Sequence, residues 1–404
     1  MCRSCGADAV ETVLSLGRLP LANALLTASD LEGPEPVFPL DLAFCHVCSL
    51  VQILETVPPE RLFRDYLYFS SYSETMVEHA RRLANELVQS RNLNSTSSVL
   101  EVASNDGYLL RHYVEVGVPV LGVEPATNVA VLARQRGIPT ISEFFGAELA
   151  TSLAETHGRA DVLHAHNVLA HVADLNGFVR GLRIMMKDDG VAIIEVPYVR
   201  EMVDQVEFDT IYHEHLCYFS LTALDALFER HDLRIGDVTV VPIHGGSLRV
   251  LVQPSSELSS SESVATLLTE EQGWGVSMLG PYKSFADQVA ALRAALRELL
   301  LGLKGDGNRI AAYGAAAKGT MLLNYCGVGG DIVDFVVDRS THKQGRFVPG
   351  VRIPIDAPAR LLKEQPDYVL LLTWNLASEI LEQQNEYLTR GGKFIVPLPE
   401  PRVL

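Results

Sequence analysis

The chain has 404 residues, room for two or three domains that each bury a core without disulfides. Its 33 Lys and Arg against 50 Asp and Glu leave a net charge of −17, which argues against nucleic acid or an anionic membrane surface as partner. With 48% apolar and 21% charged residues it has the composition of an ordinary globular protein rather than a disordered one.

In chain order, Met1-Cys2-Arg3-Ser4-Cys5 leads into acidic residues without the apolar core of a signal peptide, and residues 1–60 read as a turn-rich unit. From Pro59 the pattern turns helical, through Met76 to Leu93, with Val77, Ala80, Leu83 and Leu87 at helical spacing. From Ser98, short apolar runs alternate with helical stretches: Val99–Val102, Pro119–Val123, Ile138–Ile141, Val162–Ala165 and Val191–Val196 read as strands of a parallel sheet. Leu233–Pro242 and Ser247–Gln253, joined by His244-Gly245-Gly246, read as an antiparallel hairpin. A parallel sheet closed by such a hairpin is the layout of a class I (Rossmann-like) methyltransferase domain.

A Ser/Glu-rich stretch from Pro254 to Ser263 reads as a linker, and a long helix over Tyr282–Leu303 follows. Strands at Arg309–Tyr313, Ile332–Val337, Tyr368–Thr373 and Lys393–Pro397, with helices at Lys318–Tyr325 and Ala377–Leu388, make a second Rossmann-like unit. The expected fold class is therefore α/β in three domains, 1–60, 61–255 and 256–404. Apolar runs such as Tyr368–Trp374 fall far short of the about 18 residues of a membrane span, so a cytoplasmic protein, monomeric and without membrane contact, is expected.

Four of the six cysteines, Cys2, Cys5, Cys45 and Cys48, form C-x2-C-x39-C-x2-C. Two such knuckles complete a closed all-sulfur tetrahedron suited to structural zinc, with no position left open for chemistry. Cys217 and Cys326 sit in aromatic or apolar contexts and read as core.

The segment Glu101-Val-Ala-Ser-Asn105-Asp106-Gly107 lies between a buried strand and a helix, where a loop approaches a cofactor, although Ala103 and Asn105 stand where glycines are usual. Glu124, at the end of the second strand, is placed to accept ribose hydroxyls, and the loose glycine pattern favours S-adenosylmethionine over NAD. Phe144 and Phe145 offer either an adenine platform or a core pair. Asn167 and His171 follow the fourth strand and open onto the same crevice, with helix capping as the other account of Asn167. Tyr212, Glu214 and His215 bring a phenol, a carboxylate and an imidazole within four residues, a set able to remove a carbon-bound proton; the H-E-x-x-H spacing of a metalloprotease is absent. Tyr66, Tyr68, Ser70 and Ser71 gather phenols and hydroxyls suited to sugar or phosphate. Tyr313-Gly-Ala-Ala-Ala-Lys318-Gly319 opens a helix after a strand and can receive an anion, with Arg249 beyond the His244 turn as a second cation.

These residues, as C-x-x-C pairs, Y-x-Y-x-S-S-x-S at 66–73, E-x-x-x-N-D-G at 101–107, N-x-x-x-H at 167–171, Y-x-E-H at 212–215, H-G-G-x-x-R at 244–249 and Y-G-A-x-A-K at 313–318, give a chain that resembles the sugar C-methyltransferases acting on dTDP-linked 4-keto-deoxyhexoses in antibiotic deoxysugar pathways. The resemblance spans nearly the whole chain. It implies a zinc-binding N-terminal domain, a central S-adenosylmethionine domain and a C-terminal domain that helps hold the nucleotide sugar. It further implies His215 as the base, oriented by Glu214, with Tyr212 and Tyr68 near the keto oxygen, while Tyr212 or Glu214 remains able to carry the proton. A nucleotide-sugar O- or N-methyltransferase, or a non-catalytic zinc and nucleotide-binding regulator, is the alternative.

Overall fold

The computed structural model describes residues 1–63, 69–243, 245–255 and 260–404. The expected turn-rich N-terminal unit contains a sheet: β1 (Val10–Pro20) runs antiparallel to β2 (Val37–Cys45), which runs antiparallel to β3 (Val51–Ile53). Register shifts between Thr12 and Leu14 and between Ser15 and Arg18 break the alternation of β1, so its period of two is not visible in the sequence. Leu40, Leu42, Phe44, Leu50, Val51 and Ile53 form its core.

The helix Glu74–Ser90 starts at Ser73, whose hydroxyl accepts the Met76 N–H, and buries Met76, Ala80, Leu83 and Leu87 along one face. The central strands follow as β4 (Val99–Val102), β5 (Val120–Val123), β6 (Thr140–Ile141), β7 (Ala160–His166) and β8 (Met186–Pro197). A two-residue strand, β9 (Cys217–Tyr218), leaves this body and pairs with β3, Tyr218 opposite Val51. The hairpin β10 (Leu233–Val241) and β11 (Ser247–Pro254) returns to it. The sheet order is β10-β11-β8-β7-β4-β5-β6, parallel from β8 to β6 and antiparallel where β11 meets β8, as the methyltransferase reading expects. At the hairpin turn Gly245 and Gly246 have φ of +97° and +121°; a Cβ on Gly245 would collide with the Glu207 carboxylate.

Helices Glu262–Trp274 and Leu279–Gly305 lead to the last unit, where β12 (Ile310–Tyr313), β13 (Val336–Val337), β14 (Ile355–Asp356), β15 (Tyr368–Leu371), β16 (Lys393–Val396) and β17 (Arg402–Val403) form a sheet in the order β14-β13-β12-β15-β16-β17. It is parallel except for β17. The helix expected over Ala377–Leu388 is interrupted, as Ala377–Gln383 and Asn385–Thr389.

The segment that follows β1 fastens the N-terminal unit to the last one. Thr320 Oγ1 donates to the Ala22 carbonyl, Leu26 pairs with Phe347, and Arg352 donates to the carbonyls of Leu31 and Gly33. Among the described residues no helix is long and apolar enough to cross a membrane.

Candidate active site

The four knuckle sulfurs lie within 4.8 Å of one another, with Cys2 and Cys48 3.5 Å apart and Cys5 and Cys45 3.6 Å apart. Zinc–sulfur bonds of about 2.3 Å place tetrahedral sulfurs about 3.8 Å apart, so this set fits zinc. Each knuckle closes the same way: Gly6 and Ser49, each directly after the second cysteine, take φ of +73° and +59°, and their N–H groups bond back to the carbonyls of Cys2 and Cys45. Cys217 and Cys326 are buried thiols, both pushed up to about 12 by burial, as expected of core residues.

The central crevice opens where the strand order reverses, between the ends of β4 and β7. After β4, Ala103, Asn105 and Gly107 take φ of +56°, +49° and +79°, so the loop has the alternating left-handed backbone that glycines usually provide. The Glu124 carboxylate accepts the backbone N–H groups of Asn105 and Ala126, holding the ends of β4 and β5 to each other. Burial, with Glu124 and Asp106 nearby, holds the Glu101 carboxyl well above the usual range, and its Oε2 is buried without a hydrogen-bond partner. An unsatisfied buried acid beside a left-handed loop fits the cationic S-adenosylmethionine, which Glu101, Asn105, Asp106, Gly107 and Glu124 would hold.

Across the crevice Asn167 takes φ of +52°, and the helix Leu175–Met185 is capped by Asp174, which disposes of the capping account of Asn167. Phe145 packs edge-on against Phe178 at 5.3 Å and abuts Gly181, so the core account holds for it and only Phe144 is left as an adenine platform. Ser70 and Ser71 meet the cofactor loop: the Ser70 N–H donates to Asn105 Oδ1, and the Ser71 hydroxyl donates to Asp106. Tyr66, Tyr68 and His244 lie outside the described residues.

The Tyr212–His215 cluster stands beside this crevice. His215 Nδ1 is 2.9 Å from the Thr210 carbonyl, which can only accept, so Nδ1 carries the proton and Nε2 presents its lone pair. Tyr212 Oη is 2.8 Å from that Nε2 and donates to it. Thr210, not the expected Glu214, therefore fixes the tautomer; the Glu214 carboxylate instead accepts the Asn23 amide at 2.8 and 3.0 Å. His171 lies edge-on to the His215 ring at 4.8 Å and is drawn down to about 4 by burial, hence neutral. Beneath, Glu207, Thr210, His215, Tyr218 and Gly246 line a cavity in which burial pushes Glu207 up to about 7.

Two expected substrate cations turn inward. Strand register sets Arg249 opposite Glu195, and its Nε donates to that carboxylate at 2.6 Å, while Nη2 reaches His79 at 2.8 Å. That pairing commits the Arg249 guanidinium to Glu195 on β8 and His79 on the helix Glu74–Ser90. The Lys318 ammonium is buried without a hydrogen bond, 4.8 Å from the centre of the Trp374 ring and within the field of Asp209 and Glu207. Tyr313 ends β12 and is buried.

A polar row runs inside the sheet that no motif in the sequence announces. Tyr113 Oη, His164, His166 and Glu195 are joined by contacts of 2.8, 2.9 and 3.1 Å, with His79 and Arg249 at the far end. The spacing of His164 and His166 by two on a strand was the available signal, since it puts both on one face.

The left-handed cofactor loop, the crevice at the strand switch and the closed sulfur site define an S-adenosylmethionine-dependent methyltransferase with a zinc-binding domain. Residues 2–63 match the family of zinc binding domains, 73–237 the methyltransferase domain family and 242–399 the C-methyltransferase C-terminal domain family. The chain is 40% identical to C-methyltransferase NovU of Streptomyces niveus over 404 residues, 100% of this chain and 96% of that protein. A ubiquinone biosynthesis O-methyltransferase of Bartonella quintana (strain Toulouse) is 28% identical over 97 residues, 24% of this chain and 39% of its own. The crystal structure of magnesium protoporphyrin IX methyltransferase from Synechocystis PCC 6803 with bound SAM aligns over 48% of this chain and 87% of that one, at 14% identity and a TM-score of 0.34. The chain belongs to the C-methyltransferase family.

Proposed function

We propose that the enzyme methylates C3 of a dTDP-linked 4-keto-deoxyhexose in antibiotic deoxysugar biosynthesis. The observation that carries this reading is the ordered pair Tyr212–His215: an imidazole whose Nδ1–H is held by the Thr210 carbonyl and whose Nε2 is turned to a phenol, set beside the cofactor crevice. Transfer to oxygen would use such a base on a hydroxyl; transfer to carbon is favoured by the 40% identity to a C-methyltransferase and the match to the C-methyltransferase C-terminal domain. A 4-keto group acidifies the neighbouring C3–H, whose proton passes to His215 Nε2, directly or through Tyr212 Oη, leaving the electron pair in an enolate. S-adenosylmethionine supplies an electrophilic methyl group; the base, the enolate-oxygen donor and the alignment fall to the chain. The motif resemblance adds Tyr68 near the keto oxygen, Tyr66 and His244 at the sugar nucleotide, and the last unit, with Tyr313 and Lys318, as the part that holds the nucleotide.

Incubation with S-adenosylmethionine and a panel of dTDP-4-keto sugars, read by product mass and proton NMR, should give a product with a new methyl on C3. A methyl found on oxygen or nitrogen overturns the reading. His215→Asn should lower turnover roughly 10²- to 10⁴-fold and abolish exchange of the sugar C3 proton for deuterium while both ligands still bind. Equal exchange in variant and wild type removes His215 as the base.

A further inference from the structure

Asn23 is separated from Glu214 by 191 positions, yet its amide nitrogen meets both carboxylate oxygens. It belongs to the segment that follows β1 and is held from two sides. The neighbouring Ala22 carbonyl accepts Thr320 Oγ1 of the last unit, the Leu25 N–H closes a turn onto the Asn23 carbonyl at 2.9 Å, and Leu26 exchanges both backbone hydrogen bonds with Phe347. An amide so anchored cannot follow the carboxylate away. A donor aimed at both oxygens favours the ionised acid, because it bonds to the charge itself.

From this we infer that Asn23 is a positioning residue: it fixes the carboxylate of Glu214, the residue before His215, so that the zinc-bearing N-terminal unit contributes to proton transfer and not to folding alone. The inference rests on the proposed function of the Tyr212–His215 cluster. A carboxylate fixed there stabilises the imidazolium that forms as His215 takes its proton. An amide, unlike Lys or Arg, does so without adding a charge that would repel the same imidazolium.

The test uses the full-length, zinc-loaded chain and steady-state kinetics across pH. Asn23→Ala should lower kcat roughly ten- to a hundredfold, the worth of a hydrogen bond to a charged group, and leave KM for S-adenosylmethionine unchanged. Asn23→Asp keeps the shape but sets two acids against each other, so its kcat should recover toward acid pH, where the pair shares a proton. The exchanged double variant Asn23→Asp with Glu214→Gln restores the contact with the charge on the wrong side; it should recover the melting temperature but not kcat. Recovery of kcat as well would mean that the contact is only structural and would overturn the inference. Glu214→Gln separates the two levels. If it turns over as wild type, Glu214 has no part in the chemistry and this inference fails while the function assigned to His215 stands; if His215→Asn turns over as wild type, that function fails and this inference with it. If Glu214→Gln is impaired while Asn23→Ala and Asn23→Asp keep the wild-type kcat and pH profile, this inference alone fails.

Discussion

Ala103 is the residue at which the cofactor loop departs from the usual glycine, and its φ of +56° gives that departure a cost. An L side chain in the left-handed region loses about 1–2 kcal/mol, and Asn105 escapes part of this because asparagine tolerates the conformation. Glycine at 103 would relieve the strain but add about 0.4–1 kcal/mol of unfolded-chain entropy. Ala103→Gly should therefore stabilise the protein by about 0.5–1 kcal/mol, measured as a higher urea midpoint at unchanged slope. A midpoint at or below wild type would mean that the methyl makes packing contacts worth more than the strain.

At the scale of elements, the central sheet carries a buried charge. Glu195 on β8 is 1% exposed; burial alone would raise its carboxyl, but His166, His79 and Arg249 together hold it well below the usual range. Because its folded value lies below the unfolded one of about 4.3, its stabilising contribution is present above that pH and is lost as the pH falls toward the folded value. Arg249→Met should cost about 3–5 kcal/mol at pH 7 by leaving a buried carboxylate short of its cation. Glu195→Gln should flatten the loss of stability that wild type undergoes below about pH 5, followed by urea unfolding from pH 7 to 3. Equal acid sensitivity in the two proteins would show that other groups govern it. This row also marks how far the sequence could be read. The cysteine knuckles, the 101–107 loop and the 212–215 cluster are local, so their spacing reveals their chemistry. Glu195, His79 and Arg249 come from three elements and meet only through strand register and helix docking, and Arg249 therefore invited assignment to the substrate. The two-residue strands β14 and β17 are too short for any period to register, β13 occupies only the end of the run read over Ile332–Val337, and the kinked β1 hid the N-terminal sheet.

For the whole molecule, the sulfur site stabilises more than the unit that contains it. Cys45 ends β2, which pairs with β3, and β3 pairs with β9, whose first residue lies two positions beyond His215. Asn23 leaves the end of β1 and grips Glu214. Loss of the metal therefore loosens both the strand after the base and the amide that holds Glu214, whereas the cofactor crevice is built from the ends of β4, β5 and β7, which pair within the central sheet and not with the N-terminal one. The apparent binding energy of a structural zinc, about 10–16 kcal/mol in small zinc peptides, is folding energy for such a unit. One zinc per chain is expected by elemental analysis. Cys45→Ser, or removal of the metal with a chelator, should unfold the N-terminal unit and abolish turnover while S-adenosylmethionine affinity by calorimetry stays within a few fold of wild type. Full turnover in the metal-free protein would confine the zinc to local folding and break the link from β2 to His215; loss of S-adenosylmethionine binding together with turnover would show that the three units fold as one.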